Sequence, residues 1–189
     1  MDLRLIIPVK PFAEAKQRLS PVLNPLQRAQ LAERMFLHVF RVAKSCFGAA
    51  NLVVVSRSDE VLAITRSEGA VAVQEEIPSN LNASLAQALR ASGASRVLVV
   101  ASDLPLLGAD DLAEMAEQPC AIAPDRHNRG TNALLWPAQL TFSFGENSFA
   151  RHRIIAATAD LVPTTIARRG LAHDVDQPED LNGLDILAG

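Results

Sequence analysis

The sequence lacks the glycine-rich motifs that bind dinucleotides or nucleotide phosphates. It has nine glycines in 189 residues, and no two of them lie two or three positions apart. This spacing excludes G-x-G-x-x-G, and neither the P-loop G-x-x-x-x-G-K nor a G-x-S-x-G turn is present. Dehydrogenases with a standard Rossmann turn, P-loop kinases and α/β-hydrolases are therefore disfavoured.

Cysteine, positive charge and long apolar runs are also scarce. The two cysteines, Cys46 and Cys120, have no C-x-x-C spacing, which favours a reducing compartment over a disulfide framework. The net charge of −3 gives no support to nucleic-acid binding through a global positive field. No apolar run approaches the ~20 residues of a membrane helix, and the N-terminus does not resemble a signal peptide. We expect a cytoplasmic protein without nucleic-acid or membrane partners.

The composition is that of an ordinary globular domain. Apolar residues make up 49% and charged residues 21% of the chain, which excludes a disordered or collagen-like protein. A chain of this size buries roughly 70% of its unfolded surface, so it needs no disulfide or structural metal to fold. We expect residues 1–189 to form a single domain, since domains usually have ~100–200 residues.

Short apolar runs alternate with helical patterns along the chain. The predicted strands are 3–7, 52–55, 70–73, 96–101, 120–123, 131–136 and 161–164, the last near a sheet edge. The predicted helices start at Asn24-Pro25 and at Ser58 and cover 82–92, 109–117, 148–157 and 177–187. This alternation predicts a three-layer α/β/α domain with a mostly parallel, mixed sheet. Ligands of such sheets bind beyond the carboxyl ends of the strands.

Three cations lie in the loop after the first strand. Two of the three lysines, Lys10 and Lys16, are found there together with Arg18. A triphosphate needs such charge where no glycine nest holds it. The alternative is a solvated loop whose cations have no ligand.

Acidic residues follow the strongest predicted strand and precede the last predicted helix. Asp103 follows strand 96–101 after one residue, Ser102, and a carboxylate at this position lies in the ligand crevice. If Asp174 and Asp176 are extended, their carboxylates point to the same side, roughly 6.5–7 Å apart at the backbone. That arrangement suits a shared hard cation such as Mg²⁺. The alternatives are that Asp103 caps a helix or a turn and that Asp176 caps the last helix.

Two glycine-containing segments are candidates for binding an anion. One is Gly130-Thr131-Asn132, and the other, from Gly145 to Ser148, opens a predicted helix whose free N–H groups suit a phosphate or carboxylate. An ordinary Ser or Asn cap is the alternative. Further cations near these segments are Arg126, Arg129, Arg151 and Arg153. The four histidines have no H-x-x-x-H or H-E-x-x-H pairing, so a zinc site is not expected.

Taken together, several short motifs resemble those of one enzyme family. The matching segments are Ile7-Pro8-Val9-Lys10, Ala15-Lys16-Gln17-Arg18-Leu19, Leu81-Asn82-Ala83, Ser102-Asp103-Leu104-Pro105, Asp125-Arg126, Gly130-Thr131-Asn132-Ala133-Leu134, Phe144-Gly145, Ser148-Phe149 and Asp174-Val175-Asp176. They run nearly end to end, and the chain resembles the CofC/FbiD family, the guanylyltransferases of coenzyme F-420 biosynthesis. The resemblance implies a nucleotidyltransferase fold related to the GT-A glycosyltransferases.

The resemblance also implies roles for individual residues. Mg²⁺ would be held by Asp103, Asp174 and Asp176, and the phosphate of the acceptor acid by Thr131, Gly145 and Ser148. The nucleotide would be bound by Val9, Lys10, Lys16, Arg18, Leu81 and Asn82. Asp103, Lys16 and Arg18 would be the catalytic residues. The Leu81-Asn82 region would lie near guanine. Asn80 departs from the family pattern, since glycine is expected at this position, and a side chain there could crowd the base.

The activity implied by the resemblance is transfer of GMP from GTP to a small phosphorylated acid, with release of diphosphate. The acids accepted by the family are 2-phospho-L-lactate, phosphoenolpyruvate and 3-phospho-D-glycerate. The acceptor phosphate has a second pKa of about 6, so it needs no general base at neutral pH. Two other functions stay open, a nucleotide-sugar-dependent glycosyltransferase and a non-catalytic nucleotide-binding domain. A homodimer is one option for its assembly.

Overall fold

A mixed sheet lies at the centre of the computed structural model, which describes residues 3–76 and 80–184. The strands are β1 (Leu3–Pro8), β2 (Leu52–Ser56), β3 (Val71–Gln74), β4 (Arg96–Val100), β5 (Ala121–Pro124), β6 (Thr131–Pro137) and β7 (Thr164–Thr165). Their order in the sheet is β3-β2-β1-β4-β6-β5-β7. Only β6 runs antiparallel to its neighbours among these strands. The predicted mostly parallel, mixed sheet is confirmed.

Helices cover both faces of the sheet. They are α1 (Pro25–Phe47), α2 (Asp59–Ser67), α3 (Leu81–Ser92), α4 (Ala109–Glu117), α5 (Ser148–Thr158) and α6 (Arg169–Ala172). Apolar residues of α1, α2, α4 and α6 share one hydrophobic core cluster, and those of α3 and α5 share another. The three-layer α/β/α architecture is therefore confirmed.

Alternation along the buried strands divides the core into these two clusters. In β1, Leu5 and Ile7 pack with Phe36 of α1, whereas Ile6 packs with Leu85 of α3. The strand is apolar throughout because both of its faces are covered by helices, as in other parallel sheets. Helix α1 begins at Pro25 because the preceding residue, Asn24, forms a reciprocal capping box with Gln27.

The position of β1 in the sheet determines where a ligand can bind. Strand β1 lies between β2 and β4, with α1 following it on one face and α3 preceding β4 on the other. The connection from β1 to β2 and the connection from β3 to β4 therefore cross opposite faces of the sheet, and a crevice opens beyond the carboxyl ends of β1 and β4. Asp103 follows β4 at this crevice, as the sequence predicts.

A β-bulge in β6 reverses the faces of the sheet to which the side chains of Thr131 and Asn132 point. Ala133 pairs with Ala123, but the next pair joins Thr131 to Pro124, so Asn132 is an extra residue. The Thr131 side chain consequently faces α5, and the Asn132 amide donates to the Leu171 carbonyl of α6 at 3.0 Å. Bulges commonly re-aim side chains in this way next to functional sites.

Three sequence predictions of secondary structure are corrected. The predicted helix 177–187 is wrong over its described part: Pro178–Leu181 is a 3-10 turn, and Gly183 follows at φ +75°. Residues 185–187 of that helix lie outside the described residues. The predicted strand 161–164 begins only at Thr164, because the Leu161 amide donates to the Ala156 carbonyl at the end of α5. The predicted helix 82–92 begins one residue earlier, with Asn80 as its N-cap.

No helix within residues 3–76 and 80–184 combines the length and apolarity that crossing a bilayer requires.

Candidate active site

A cavity of about 510 Å³, here called the main cavity, opens at the carboxyl ends of β1, β2 and β4. The α3 side of its lining includes Leu81 and Ser84, and its other side includes Asp103 and Asp176. Seven of the sequence-predicted site residues line it: Val9, Lys10, Lys16, Arg18, Leu81, Asp103 and Asp176. Its size is typical of a small-ligand pocket.

The Lys16 ammonium lies between two of the predicted metal-binding carboxylates. Its Nζ donates to Asp103 Oδ2 and, at 3.1 Å, to Asp176 Oδ1. Only 8% of the Lys16 side chain is exposed. Burial alone would lower the pKa of Lys16, but the charges and hydrogen bonds of Asp103 and Asp176 outweigh it and raise the pKa. Lys16 is thus held as a buried cation at the end of the sheet.

The backbone of Lys16 is itself unusual. Its φ of 55° lies in the left-handed region, which residues other than glycine rarely adopt. Such conformations are maintained by the surrounding structure and cluster at functional sites. Three residues later, Leu19 is fully buried in a small cluster with Val175, which packs the loop of Lys16 against the loop of Asp174 and Asp176.

Asp174 completes the acidic cluster. Its Oδ1 accepts a hydrogen bond of 3.1 Å from the Asn132 amide at the β6 bulge. Burial raises the pKa of Asp174, and the nearby charges of Asp103 and Asp176 raise it further, although the Asn132 hydrogen bond partly opposes this. The structure therefore brings together the three aspartates predicted to bind metal.

The carboxylates of Asp103, Asp174 and Asp176 are suitable ligands for a magnesium ion, but the Lys16 ammonium competes for two of them. Carboxylate oxygens are the ligands that Mg²⁺ takes in proteins. In the described part of the chain, no three acidic, histidine or cysteine side chains surround a common point as metal ligands would. Asp103 and Asp176 instead both bind the Lys16 ammonium. Joint coordination of a cation by these two carboxylates requires Lys16 Nζ to give up these contacts.

Asp180 and Arg126 hold the loop that carries Asp176. Asp180 Oδ2 accepts hydrogen bonds of 2.7 Å from the backbone amides of Asp176 and Gln177, and Arg126 binds Asp180 Oδ1. Burial alone would raise the pKa of Asp180, but these amides and Arg126 outweigh it and lower the pKa. The alternative that Asp176 caps the last helix is wrong, because its carboxylate instead binds Lys16 and lies 3.6 Å from Arg18.

A second candidate site, here called the acceptor loop, consists of residues 143–148 together with Thr131. Ser148 begins α5 and is almost completely buried, and Thr131 is 7% exposed. Among the described residues, the backbone amides of 145–147 donate no hydrogen bond. The N-cap Asn147 has φ 53° and makes no side-chain cap hydrogen bond, so the alternative of an ordinary cap is not supported. Free amides at a helix N-terminus bind anions.

Arg151 adds positive charge beside this loop. Its guanidinium donates to the Phe144 carbonyl at 3.3 Å, and a Cβ at Gly145 would approach the same guanidinium to 3.3 Å. The positive φ of Gly145, 113°, also favours glycine there. The acceptor loop thus combines free amides with an adjacent cation.

Asn82 contacts the acceptor loop and does not line the main cavity. Its Oδ1 accepts from the Phe144 amide at 2.7 Å, and its Nδ2 donates to the Phe144 carbonyl at 3.2 Å. The side chain of Asn80 likewise points to the backbone of α3, accepting from the amides of Asn82 and Ala83. Of the two residues that the resemblance places near guanine, only Leu81 lines the cavity.

Three residues near these sites were not selected from the sequence. Glu75 and Ser84 line the main cavity, and the Ser84 hydroxyl donates to Glu75 Oε1. Glu75 directly follows β3, so the rule that selected Asp103 could have found it. The third residue, His152, contacts Thr131, which lies 21 positions away. No local spacing indicates such a contact.

The sequence is similar to one protein family and to several curated proteins. The family model described as "Guanylyl transferase CofC like" matches residues 3–189. The phosphoenolpyruvate guanylyltransferase of Rubrobacter xylanophilus is 37% identical, and the alignment covers 100% of this chain and 96% of that protein. The 2-phospho-L-lactate guanylyltransferase of Methanothermobacter thermautotrophicus is 34% identical, over 97% of this chain and 84% of the relative.

Solved structures with low sequence identity share the fold. A putative nucleotide-diphospho-sugar transferase from Desulfovibrio desulfuricans superimposes with a TM-score of 0.71 at 16% identity, covering 96% of this chain and 85% of that one. A nucleotidyl transferase from Methanothermobacter thermautotrophicus superimposes with a TM-score of 0.63 at 17% identity, covering 94% and 93%. The architecture is an α/β nucleotidyltransferase fold. With the family match over almost its whole length, the chain belongs to the CofC-like guanylyl transferase family.

Proposed function

We propose that this protein transfers GMP from GTP to the phosphate of a small phosphorylated acid in the cytoplasm, as a step of coenzyme F-420 biosynthesis. The observation that carries the proposal is the meeting of Asp103, Asp174, Asp176 and Lys16 at the main cavity. Phosphoenolpyruvate is the first candidate acceptor, because several relatives are named for it. The alternatives are 2-phospho-L-lactate and 3-phospho-D-glycerate.

The main cavity is the proposed nucleotide site. Lys10, Lys16 and Arg18 line it and supply the positive charge that a triphosphate needs. We assign Glu75, on the α3 side of the cavity, to binding of the guanine base. Guanine carries two adjacent N–H groups, and a carboxylate can accept a hydrogen bond from each. Asn80 does not oppose guanine binding, since its side chain is directed to the cap of α3.

The acceptor loop is the proposed site of the phosphorylated acid. The Thr131 hydroxyl, the free amides at and after Gly145, and Ser148 would bind one of its anionic groups. Two polyanions must therefore approach each other between the loop and the cavity. Asp103, Asp174 and Asp176 would hold Mg²⁺ there. The ion would neutralise part of the negative charge of the two substrates and align the attack.

The reaction needs no nucleophile or general base from the protein. An oxygen of the acceptor phosphate, mostly dianionic at neutral pH, forms a bond to the α-phosphorus of GTP. The bond from the α-phosphorus to the bridging oxygen breaks, and diphosphate leaves with the electron pair. Lys16, with its raised pKa, stays protonated and can accompany the charge of the leaving group.

The test is diphosphate release with each of four nucleoside triphosphates and each of the three acids, with the product identified by mass. We expect GTP with one acid to be turned over and a chelator of divalent ions to stop the reaction. Nucleotide-sugar turnover without diphosphate formation would support the glycosyltransferase instead. GTP-dependent thermal stabilisation without any product would support a non-catalytic nucleotide-binding domain.

Asp103→Asn tests the metal assignment. We expect it to remove most turnover and to leave the circular dichroism spectrum unchanged, because the substitution keeps the shape and removes the charge that a cation needs. Asp110→Asn is the matched control, since Asp110 is exposed in the first turn of α4 and outside the cavity. Wild-type turnover by Asp103→Asn at saturating magnesium would contradict the assignment.

A further inference from the structure

His152 is a buried side chain that connects the two parts of the acceptor loop. Its ring is completely buried, with Nδ1 3.0 Å from the Thr131 hydroxyl and Nε2 3.1 Å from the Ser143 backbone nitrogen. The rings of Trp136 and Phe144 contact it edge-on, with centroids 5.6 and 4.8 Å away. These contacts hold the imidazole in one orientation.

The hydrogen bonds determine which nitrogen carries the proton. The Ser143 amide can only donate, so Nε2 must accept and has no hydrogen. In the neutral ring the proton is therefore on Nδ1, which donates it to Thr131 Oγ1. Burial, followed by the nearby positive charge of Arg151, lowers the pKa of His152 to about 4, so the ring is neutral at physiological pH.

This arrangement also determines the direction of the Thr131 hydroxyl proton. Because Oγ1 accepts a hydrogen bond from His152, its own proton must point elsewhere. Within residues 3–76 and 80–184 the Thr131 side chain has no other hydrogen-bond partner. A hydroxyl polarised in this way is a donor available to an anion, and hydrogen bonds to charged acceptors are the stronger ones.

We propose that His152 is a positioning residue for the acceptor acid, which directs the Thr131 hydroxyl as a donor and holds the start of the acceptor loop through Ser143. This inference rests on the proposed function, since it takes Thr131 as a contact of the acid. His152 does not line the main cavity, so its substitution should leave nucleotide binding unchanged.

Two conservative substitutions separate the two hydrogen bonds. His152→Asn places an amide near the position of Nδ1 and keeps a donor for Thr131, whereas His152→Gln reaches the position of Nε2 and keeps an acceptor for Ser143. We expect His152→Gln to raise KM for the acid by about tenfold, because one hydrogen bond to a charged group is lost. His152→Asn should raise it less, and KM for GTP should stay within about twofold in both.

A double-substitution cycle with Thr131→Val provides the decisive kinetic result. If His152 acts through the Thr131 hydroxyl, His152→Gln should have no further effect on the acid's KM once that hydroxyl is absent. An unchanged KM for the acid in His152→Gln, or an equal effect in the Thr131→Val background, would overturn the proposal. A wild-type protein inactive with all three acids would instead refute the proposed function.

A measurement on the wild-type protein keeps the proposal testable if the variants do not fold. The nitrogen NMR spectrum of ¹⁵N-histidine-labelled protein distinguishes the two neutral tautomers and the charged ring. We expect His152 in the Nδ1–H form at neutral pH. An Nε2–H tautomer or a charged ring would overturn the proposal, because Thr131 would then no longer be set as the donor.

Discussion

Asn82→Ala distinguishes a residue that binds the nucleotide from one that holds the acceptor loop. The family resemblance places Asn82 near guanine, whereas in the structure both polar atoms of its side chain bind the backbone of Phe144. If the structural contact is its main role, the substitution releases the loop from α3. The acid should then bind more weakly, and the nucleotide should bind almost as before.

The two hydrogen bonds give the magnitude of the effect. They measure 2.7 and 3.2 Å, and each contributes about 1 kcal/mol to the ordered loop. A combined loss of about 2 kcal/mol corresponds to a rise of about 30-fold in KM for the acid, since 1.4 kcal/mol is a factor of ten. Asn82→Asp keeps the acceptor for the Phe144 amide and loses the donor, so we expect about half of this free-energy change.

Steady-state diphosphate release, with each substrate varied at saturation of the other, measures both KM values. A raised KM for GTP with an unchanged KM for the acid would refute this reasoning and return Asn82 to the nucleotide site. Asn51→Ala is a suitable control, because the Asn51 amide binds the Phe47 carbonyl in a part of the chain that does not line the main cavity.

Two further predictions concern stability. Asp174→Asn should raise the thermal midpoint at neutral pH while turnover is lost, because burial and two neighbouring carboxylates oppose the charge of Asp174. This gain in the thermal midpoint should shrink as the pH falls through the raised pKa of Asp174, because the wild-type carboxyl then becomes neutral as well. A lower midpoint for Asp174→Asn at neutral pH would contradict this prediction. Gly170→Ala should cost about 1–3 kcal/mol, or about 2–4 °C per kcal/mol, because its Cβ would overlap the Asp111 carboxylate and lie 2.8 Å from the Leu106 carbonyl oxygen. Gly108→Ala, with its nearest contact at 3.5 Å, is the control, and equal midpoints for the two variants would count against the packing argument.

Much of the fold could be predicted because local patterns determine it. Apolar runs of β-branched residues gave the strands, and the capping box at Asn24 gave the start of α1. The predicted C-terminal helix failed because the Asp180 carboxylate takes the amides of Asp176 and Gln177, and because Gly183 adopts a positive φ. Helix α6 has only four residues, Arg169–Ala172, too few to produce a periodic pattern.

The candidate site was predictable where its residues follow strands. Asp103 and Lys16 were selected by that rule, and the structure places them in direct contact. The role of Asn82 and the presence of His152 could not be inferred, because their partners lie 62 and 21 positions away and only the packing of α3 and α5 brings them together. Tertiary contacts of this kind leave no periodicity in the sequence.

Because Asn132 is an extra residue in β6, deleting it would separate the role of Thr131 from the role of Asp174. A variant shortened by Asn132 alone would pair regularly with β5, keeping Thr131 on the side of α5. Asp174 would then have no amide donor from β6, since Asn132 is the side chain that reaches it. A single-residue deletion in this strand would thus retain the proposed contact of Thr131 with the acid while releasing Asp174 from Asn132, a separation that no substitution of Thr131 can produce.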